Sequence, residues 1–122
     1  MRALGIDIGT TNLKVIVLDL HSAAVVERLS LPNSFLGSSF LQDPDTIVAK
    51  LDTMLASLGH RYDCIGITGQ VHGILYTDAC GRAVSPLYTW LDKRAAERYG
   101  GSTVQAMLAQ KTGRTIAPGY GL

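Results

Sequence analysis

The sequence predicts a mixed α/β domain whose sheet begins with an antiparallel meander and is flanked by helices. Three apolar runs, at residues 3–8, 13–19 and 24–31, follow one another through short turns, as consecutive antiparallel strands do. Apolar residues then recur at helical spacing up to residue 58, and residues 64–68 form one more short apolar run. A meander, a crossover helix and a further strand together indicate a mixed sheet with helices packed on its faces.

The first two runs form a β-hairpin that carries the most informative chemistry in the chain. Its candidate ligand-binding positions are Asp7 in the first strand, the turn residues Gly9, Thr10, Thr11 and Asn12, and Lys14 in the second strand. A glycine allows close approach of the backbone, and turn N–H groups with threonine hydroxyls offer several donors to one anion. The carboxylate of Asp7 suits a hydrated Mg²⁺, which takes few protein carboxylates and keeps most of its waters. The hairpin therefore predicts a phosphate site, with Asp7 as the catalytic, metal-directed carboxylate.

The same hairpin also has a purely structural interpretation. A Gly-Thr-Thr-Asn sequence forms turns readily, and an aspartate beside it often bonds to the local backbone. Lys14 would then be an ordinary solvated strand residue. A carboxylate inside an apolar strand is costly unless a partner satisfies it, and this favours the functional interpretation.

The remaining elements follow from local signals. Asp43-Pro44-Asp45 predicts a helix start, and Gly59 marks its end. Further along, the pattern predicts a short buried strand at 64–68, a small hairpin from 74–77 and 83–88, and two helices at 91–99 and 104–111.

A second block of sequence follows the strand at 64–68. Its distinctive residues are Gly66-Ile67, Gly69-Gln70-Val71-His72-Gly73, the turn residues Asp78 and Gly81, and Trp90, Asp92 and Arg94. This pattern, together with the hairpin and with Gln42-Asp43-Pro44, resembles the carbohydrate kinases of the FGGY family over nearly the whole chain. The segment around His72 is similar to xylulokinase-like and sedoheptulokinase-like members. The Thr89-Trp90-x-Asp92-x-Arg94 pattern, together with residues 117–121, favours the second group slightly.

The resemblance implies a ribonuclease-H-like fold of the actin-like ATPase superfamily, with residues 1–122 as the N-terminal portion of the first kinase domain. It implies ATP and Mg²⁺ as cofactors, and phosphorylation of a ketose or polyol hydroxyl. The implied sugar contacts are Val71, His72, Trp90, Asp92 and Arg94. Each also has a structural interpretation, Trp90 as a core residue and Asp92 with Arg94 as a surface ion pair. No residue of the chain matches the family's general-base aspartate or its nucleotide-binding domain.

Two other functions stay open at this point. A noncatalytic, shortened remnant of a kinase would carry the same motifs, and an Hsp70-like or actin-like assembly ATPase would share the hairpin. The match to sugar kinases at residues 69–94 argues against the assembly ATPase. A half-domain would also leave strand edges uncovered, which predicts self-association as a dimer.

Composition narrows the expected partners. A net charge of +1 gives no electrostatic footprint for nucleic acid or an anionic membrane. The apolar runs are too short to span a bilayer and the N-terminus lacks a signal pattern, so a cytoplasmic location is expected. Cys64 and Cys80 form no CxxC pair, and no metal–thiolate site is predicted.

Overall fold

The computed structural model describes residues 1–120, which divide into two compact units. The first unit comprises residues 1–34 and 43–70, and the second comprises residues 35–42 and those from 71 onward. In chain order the elements are β1 (Arg2–Ile8), β2 (Asn12–Asp19), β3 (Ala24–Pro32), β4 (Leu41–Gln42), α1 (Pro44–Ser57), β5 (Cys64–Gly69), β6 (Leu87–Tyr88), a 3₁₀ turn (Arg94–Ala96), β7 (Arg98–Tyr99), β8 (Ser102–Thr103) and α2 (Val104–Thr112). The predicted mixed α/β fold is confirmed.

The first unit is built on a four-stranded sheet in the order β3-β2-β1-β5. β1 pairs with β2, and β2 with β3, in the antiparallel meander that the sequence predicts. β5 pairs with β1 in the parallel direction, which requires a crossover connection, and α1 lies in that connection.

Helix α1 begins and ends where the sequence predicts. The Asp43 side chain accepts hydrogen bonds from the Asp45 N–H at 3.2 Å and the Thr46 hydroxyl at 2.6 Å, and Pro44 occupies the first turn. At the other end the Leu58 N–H bonds to the Leu55 carbonyl.

The core of the first unit lies between α1 and one face of the sheet. Ile47 and Met54 of α1 are buried, as are Leu13, Val15 and Val17 of β2. Alternate residues of a strand point to opposite faces, so these three β2 side chains share the face that α1 covers. The side chains at the β2 positions between these three residues point to the opposite face of the sheet.

We expect Met54→Ala to lower the free energy of unfolding by about 2–5 kcal/mol, because it removes a buried side chain and leaves a cavity. Met54 is 2% exposed, whereas Val48 on the same helix is 55% exposed and provides the matched control. Val48→Ala should change stability by less than about 0.5 kcal/mol. Urea unfolding followed by circular dichroism measures both. Equal effects of the two substitutions would show that α1 does not bury Met54 in this core.

The strand predicted at residues 64–68 is present as β5, but the prediction that it is buried is wrong. Ile65 and Ile67 are 55% and 69% exposed. They are in register with Leu4 and Ile6 of β1, which are buried. Helix α1 packs on β2, near the middle of the sheet. It therefore does not cover the side chains of β5, which is an outer strand.

The second unit contains a pairing that sequence patterns did not indicate. β6 pairs antiparallel with β4, joining two segments of two residues each. The predicted hairpin at 74–77 and 83–88 is reduced to two isolated bridges, Ile74 with Tyr88 and Thr77 with Ala83.

The prediction of a helix at residues 91–99 is wrong, whereas the helix predicted at residues 104–111 is confirmed as α2. The Asp92 carboxylate accepts the Arg94 N–H at 3.0 Å, and such local bonds compete with helix formation. Only a 3₁₀ turn follows, and then β7 and β8 pair around Gly100 and Gly101, which both have positive φ. None of the helices within residues 1–120 is both long enough and apolar enough to cross a membrane.

Candidate functional site

The turn between β1 and β2 is closed tightly by its backbone. The Gly9 N–H donates to the Asn12 carbonyl at 3.0 Å. A Cβ at Gly9 would lie 2.7 Å from that same oxygen, so a larger residue would force the turn to open. Asn33 secures the turn from outside, since its Nδ2 donates to the Gly9 carbonyl and its backbone N–H to the Thr11 carbonyl. These hydrogen bonds fix the backbone of the turn.

Asp7 and Lys14 lie directly opposite each other in the β1–β2 register. Their side chains share the sheet face that α1 does not cover, because Ile6 and Val15 beside them point into the core. Thr68 of β5 stands in the same row, next to Asp7. The three residues line part of a groove of about 770 Å³ along this face. A carboxylate, an ammonium and a hydroxyl therefore stand side by side near the turn.

Gln70 ties the turn to the end of β5, a role that sequence reasoning left open. The Thr10 hydroxyl donates to the Gln70 side-chain oxygen at 3.1 Å. The Gln70 N–H in turn donates to the Ile8 carbonyl at 2.9 Å. Thr11 and Asn12 are exposed at the tip of the turn. The predicted phosphate ligands Gly9 to Asn12 and Lys14 thus lie together in the first unit.

The residues around Asp7 fit a magnesium ion held through water. Within residues 1–120, no group of three or more His, Cys, Asp or Glu side chains could hold a metal ion directly. Mg²⁺ commonly binds through one or two carboxylates, several waters and the phosphates of a substrate. The single half-buried carboxylate of Asp7, beside a turn predicted to bind phosphate, meets that requirement.

The second unit brings three of the predicted sugar residues together. His72, Asp92 and Arg94 line one small recess of about 10 Å³, together with Tyr88 and Gly119. The recess is a crevice rather than a complete sugar pocket.

The other two predicted sugar residues do not line this recess. Val71 and Trp90 are 63% and 41% exposed. The interpretation of Trp90 as a core residue therefore does not hold in the described part of the chain.

Arg94 donates hydrogen bonds to the Asp92 carboxylate from two of its guanidinium nitrogens. Its Nε lies 3.0 Å from both carboxylate oxygens, and its Nη2 lies 2.7 Å from Oδ2. The guanidinium carbon stands 4.5 Å from the centre of the Tyr88 ring, in a cation–π contact. The Asp92 side chain is 12% exposed and that of Arg94 is 49% exposed. Most of the lone pairs of Asp92 are therefore engaged, and the outer N–H groups of Arg94 are the donors that face solvent.

The hydrogen bonds from Arg94 lower the pKa of Asp92 below its ordinary value of 3.8. A carboxyl whose pKa is lower in the folded state stabilises the fold at pH values above 3.8. That contribution is lost as the pH falls through the lowered pKa. We expect Arg94→Gln to destabilise the protein at neutral pH and to do so progressively less below pH 3.8.

Carbon-13 NMR of the Asp92 carboxyl measures this effect directly. Its titration midpoint should lie below 3.8 in the wild type and move upward in Arg94→Gln. An Asp92 midpoint that does not respond to the substitution would contradict the pairing.

Two further residues of the second unit were missed by sequence reasoning. Thr89 is 2% exposed, and its hydroxyl donates to the Phe40 carbonyl at 2.7 Å, which fixes the backbone just before Trp90. Tyr120 stacks on His72 with ring centroids 4.3 Å apart. Both residues lie in segments that carry the family resemblance, but nothing in the sequence indicated the hydrogen bond of Thr89 or the stack of Tyr120.

Comparison with solved structures shows the class of fold. A structure described as a xyloylose kinase from Brucella ovis superposes with a TM-score of 0.75 at 25% identity, over 98% of this chain and 27% of that one. The xylulose kinase of Bifidobacterium adolescentis gives a TM-score of 0.72 at 17% identity, over 99% of this chain and 28% of that one. The fold is the actin-like ATPase fold of these sugar kinases.

Sequence comparison shows the family. The profile described as the FGGY family of carbohydrate kinases, N-terminal domain, matches residues 2–122. The chain belongs to the FGGY family of carbohydrate kinases, which confirms the resemblance seen in its motifs. It is 32% identical to the xylulose kinase of Escherichia coli K12 over 129 residues, covering 96% of this chain and 26% of that enzyme. The chain therefore spans about a quarter of the length of these relatives.

Proposed function

We propose that the intact protein transfers the terminal phosphoryl group of ATP to a hydroxyl of a ketose, with Mg²⁺ as the metal. Residues 1–122 would be the N-terminal portion of its first kinase domain, and a cytoplasmic location stays a prediction. Family membership and the two groups of polar residues support this function. The relatives of this chain named above are xylulose kinases, so a ketose is favoured over another polyol.

The hairpin would bind the phosphates and direct the metal. The backbone N–H groups of the turn, the Thr11 hydroxyl and the Lys14 ammonium offer donors to phosphate oxygens. Asp7 would bind metal-coordinated water, and a bound Mg²⁺ would supply positive charge to the phosphoryl oxygens. Because the Gly9 turn is fixed by its own hydrogen bonds, these donors need little rearrangement when the ligand binds.

The second unit would orient the sugar. His72 and Arg94 present nitrogen donors at one recess, and Asp92 holds the guanidinium of Arg94 in place. Val71 and the exposed face of Trp90 would add apolar contacts beside them. Such contacts contribute to catalysis by fixing the reacting hydroxyl in line with the phosphoryl group.

The observation that carries this proposal is the row formed by Asp7, Lys14 and Thr68 beside the closed turn. The test is a coupled assay of ADP release by the intact protein with xylulose, sedoheptulose and glycerol in turn. We expect release that depends on ATP, on Mg²⁺ and on one of the two ketoses. Release that no sugar stimulates would overturn the proposal. Release with glycerol alone would overturn the assignment to a ketose.

We also expect the 122-residue chain on its own to form a dimer. In the sheet formed by residues 1–120, β5 has a neighbour on one side only. Its exposed Ile65 and Ile67 continue the apolar face of the core. Unpaired strand edges with exposed apolar side chains recruit other strands, and a second β5 offers a self-complementary partner. Sedimentation equilibrium at micromolar concentration measures the association.

Two lysine substitutions distinguish pairing through the β5 edge from nonspecific association. Ile67→Lys places a charge on β5 and should shift the chain to the monomer. Val48→Lys, at an exposed position of α1, should leave the dimer intact. A wild-type chain that is monomeric, or a dimer insensitive to Ile67→Lys, would contradict association through β5.

A further inference from the structure

We infer that Tyr120 is a positioning residue, whose ring holds the His72 imidazole in the orientation that meets the sugar. The inference rests on the proposed function, in which His72 contacts the sugar. The two rings are stacked, with centroids 4.3 Å apart and planes 20° from parallel. Rings packed face to face restrict each other's rotation. His72 itself is exposed, and Tyr120 is the ring stacked on it.

The backbone of His72 is held in an unusual conformation. Its φ is 65°, in the left-handed region that residues other than glycine seldom occupy. On one side of it, a Cβ at Gly73 would lie 2.9 Å from the Tyr88 carbonyl, so the chain lies close against β6. Strained backbone of this kind persists where the surroundings impose it, and it is common at ligand sites. The Cα of His72 is therefore placed by the backbone, while its ring needs a separate restraint.

The segment that carries Tyr120 is seated by contacts that do not involve the tyrosine ring. Gly119 is buried with a φ of 92°, and a Cβ there would overlap the Trp90 carbonyl. The side chain of Gln105 donates to the Ile116 carbonyl at 2.7 Å. The Tyr120 ring is 48% exposed, so core packing does not account for its position. The ring instead contacts the imidazole of His72.

Ring orientation matters because His72 shares its recess with Arg94. Two donors reach the hydroxyls of one sugar only if both are held at compatible positions. An imidazole free to rotate would lose order each time a sugar binds, and this cost weakens binding more than it slows the chemical step. Tyr120 thus acts on sugar affinity through His72.

The test uses steady-state kinetics of the intact protein with Tyr120→Leu and Tyr120→Phe. Leucine removes the stack, and the KM for the sugar should rise about threefold to tenfold with little change in kcat or in the KM for ATP. Phenylalanine keeps the stack and should stay within about twofold of the wild type. In a His72→Ala background, Tyr120→Leu should add no further effect, because the group it positions is gone.

Three results would overturn the inference. The first is a wild-type KM in Tyr120→Leu. The second is a phenylalanine variant as weak as the leucine variant, because the hydroxyl would then be the group that matters. The third is a full effect of Tyr120→Leu in the His72→Ala background, which would mean direct contact with the sugar.

Proton NMR of the 122-residue chain tests the stack independently of catalysis. The Tyr120 ring should shift the His72 ring protons upfield, and this shift should disappear in Tyr120→Leu but not in Tyr120→Phe. An unshifted His72 in the wild type would overturn the inference whatever the enzyme phosphorylates. A shifted His72 in a protein that phosphorylates no sugar would instead refute the proposed function, and with it the role of the stack in sugar binding.

Discussion

On the proposed function, Asp7→Asn is expected to lower kcat of the intact protein roughly 10²- to 10³-fold, the range seen when one charge-stabilising group is removed from an active site. The substitution keeps the shape of the side chain but removes the charge directed at the metal. Since Asp7 lies opposite Lys14 on the uncovered sheet face, no core packing changes. The KM for the sugar should change little, because the lost interaction belongs to the transition state.

Two comparisons make this prediction specific. Asp52→Asn makes the same chemical change at an exposed position of α1 and should leave kcat unaltered. His72→Ala should give the opposite kinetic pattern, with a raised KM for the sugar and a smaller change in kcat. If Asp7→Asn raised KM and His72→Ala lowered kcat, the roles of the two sites would be exchanged.

The second large effect is that the 122-residue chain alone should show no phosphoryl transfer. The chain covers 26% of the Escherichia coli xylulose kinase, and the family resemblance implies that the general-base aspartate and the nucleotide-binding domain lie outside it. Both substrates must be held in line for transfer, and without that positioning the acceleration is lost. The coupled ADP assay, run with the chain and with the intact protein at equal concentration, measures the difference.

A negative result with the chain counts only if the chain is folded. Circular dichroism should show a helical signal that urea abolishes cooperatively, and at a lower urea concentration in Met54→Ala, because that residue is buried. Sugar-dependent turnover by the folded chain that disappears on Asp7→Ala would mean that the catalytic machinery lies elsewhere in these residues.

The elements that could be predicted from sequence are those with strong local signals. Apolar runs joined by short turns located β1 to β3, and Asp43 with Pro44 located the start of α1. The candidate residues of the hairpin followed from the turn chemistry around Gly9. Each of these features depends on residues close together in the chain.

The features that escaped prediction depend on distant residues. Two-residue strands such as β4 and β6 are too short to show an alternating pattern. They are strands only because they pair with each other. The exposure of the β5 side chains depends on how far α1 extends across the sheet. The residues of β5 by themselves do not indicate this. The stack of Tyr120 on His72 joins residues far apart in the chain. The wrongly predicted helix at 91–99 has a different cause, a local one, because the hydrogen bond between Asp92 and Arg94 competes with helix formation.

The parallel ladder between β1 and β5 has a consequence for the order in which the sheet forms. It joins Ala3 to Cys64, whereas the two hairpins close over short turns. Closing a longer loop costs more chain entropy, so β5 is expected to dock after the meander has formed. The amide protons of β5 should accordingly exchange with solvent sooner than those of β2. Gln70 follows β5 and its side-chain oxygen accepts the Thr10 hydroxyl, so the turn at Gly9 gains this hydrogen bond only once β5, expected to dock after the meander, is in place.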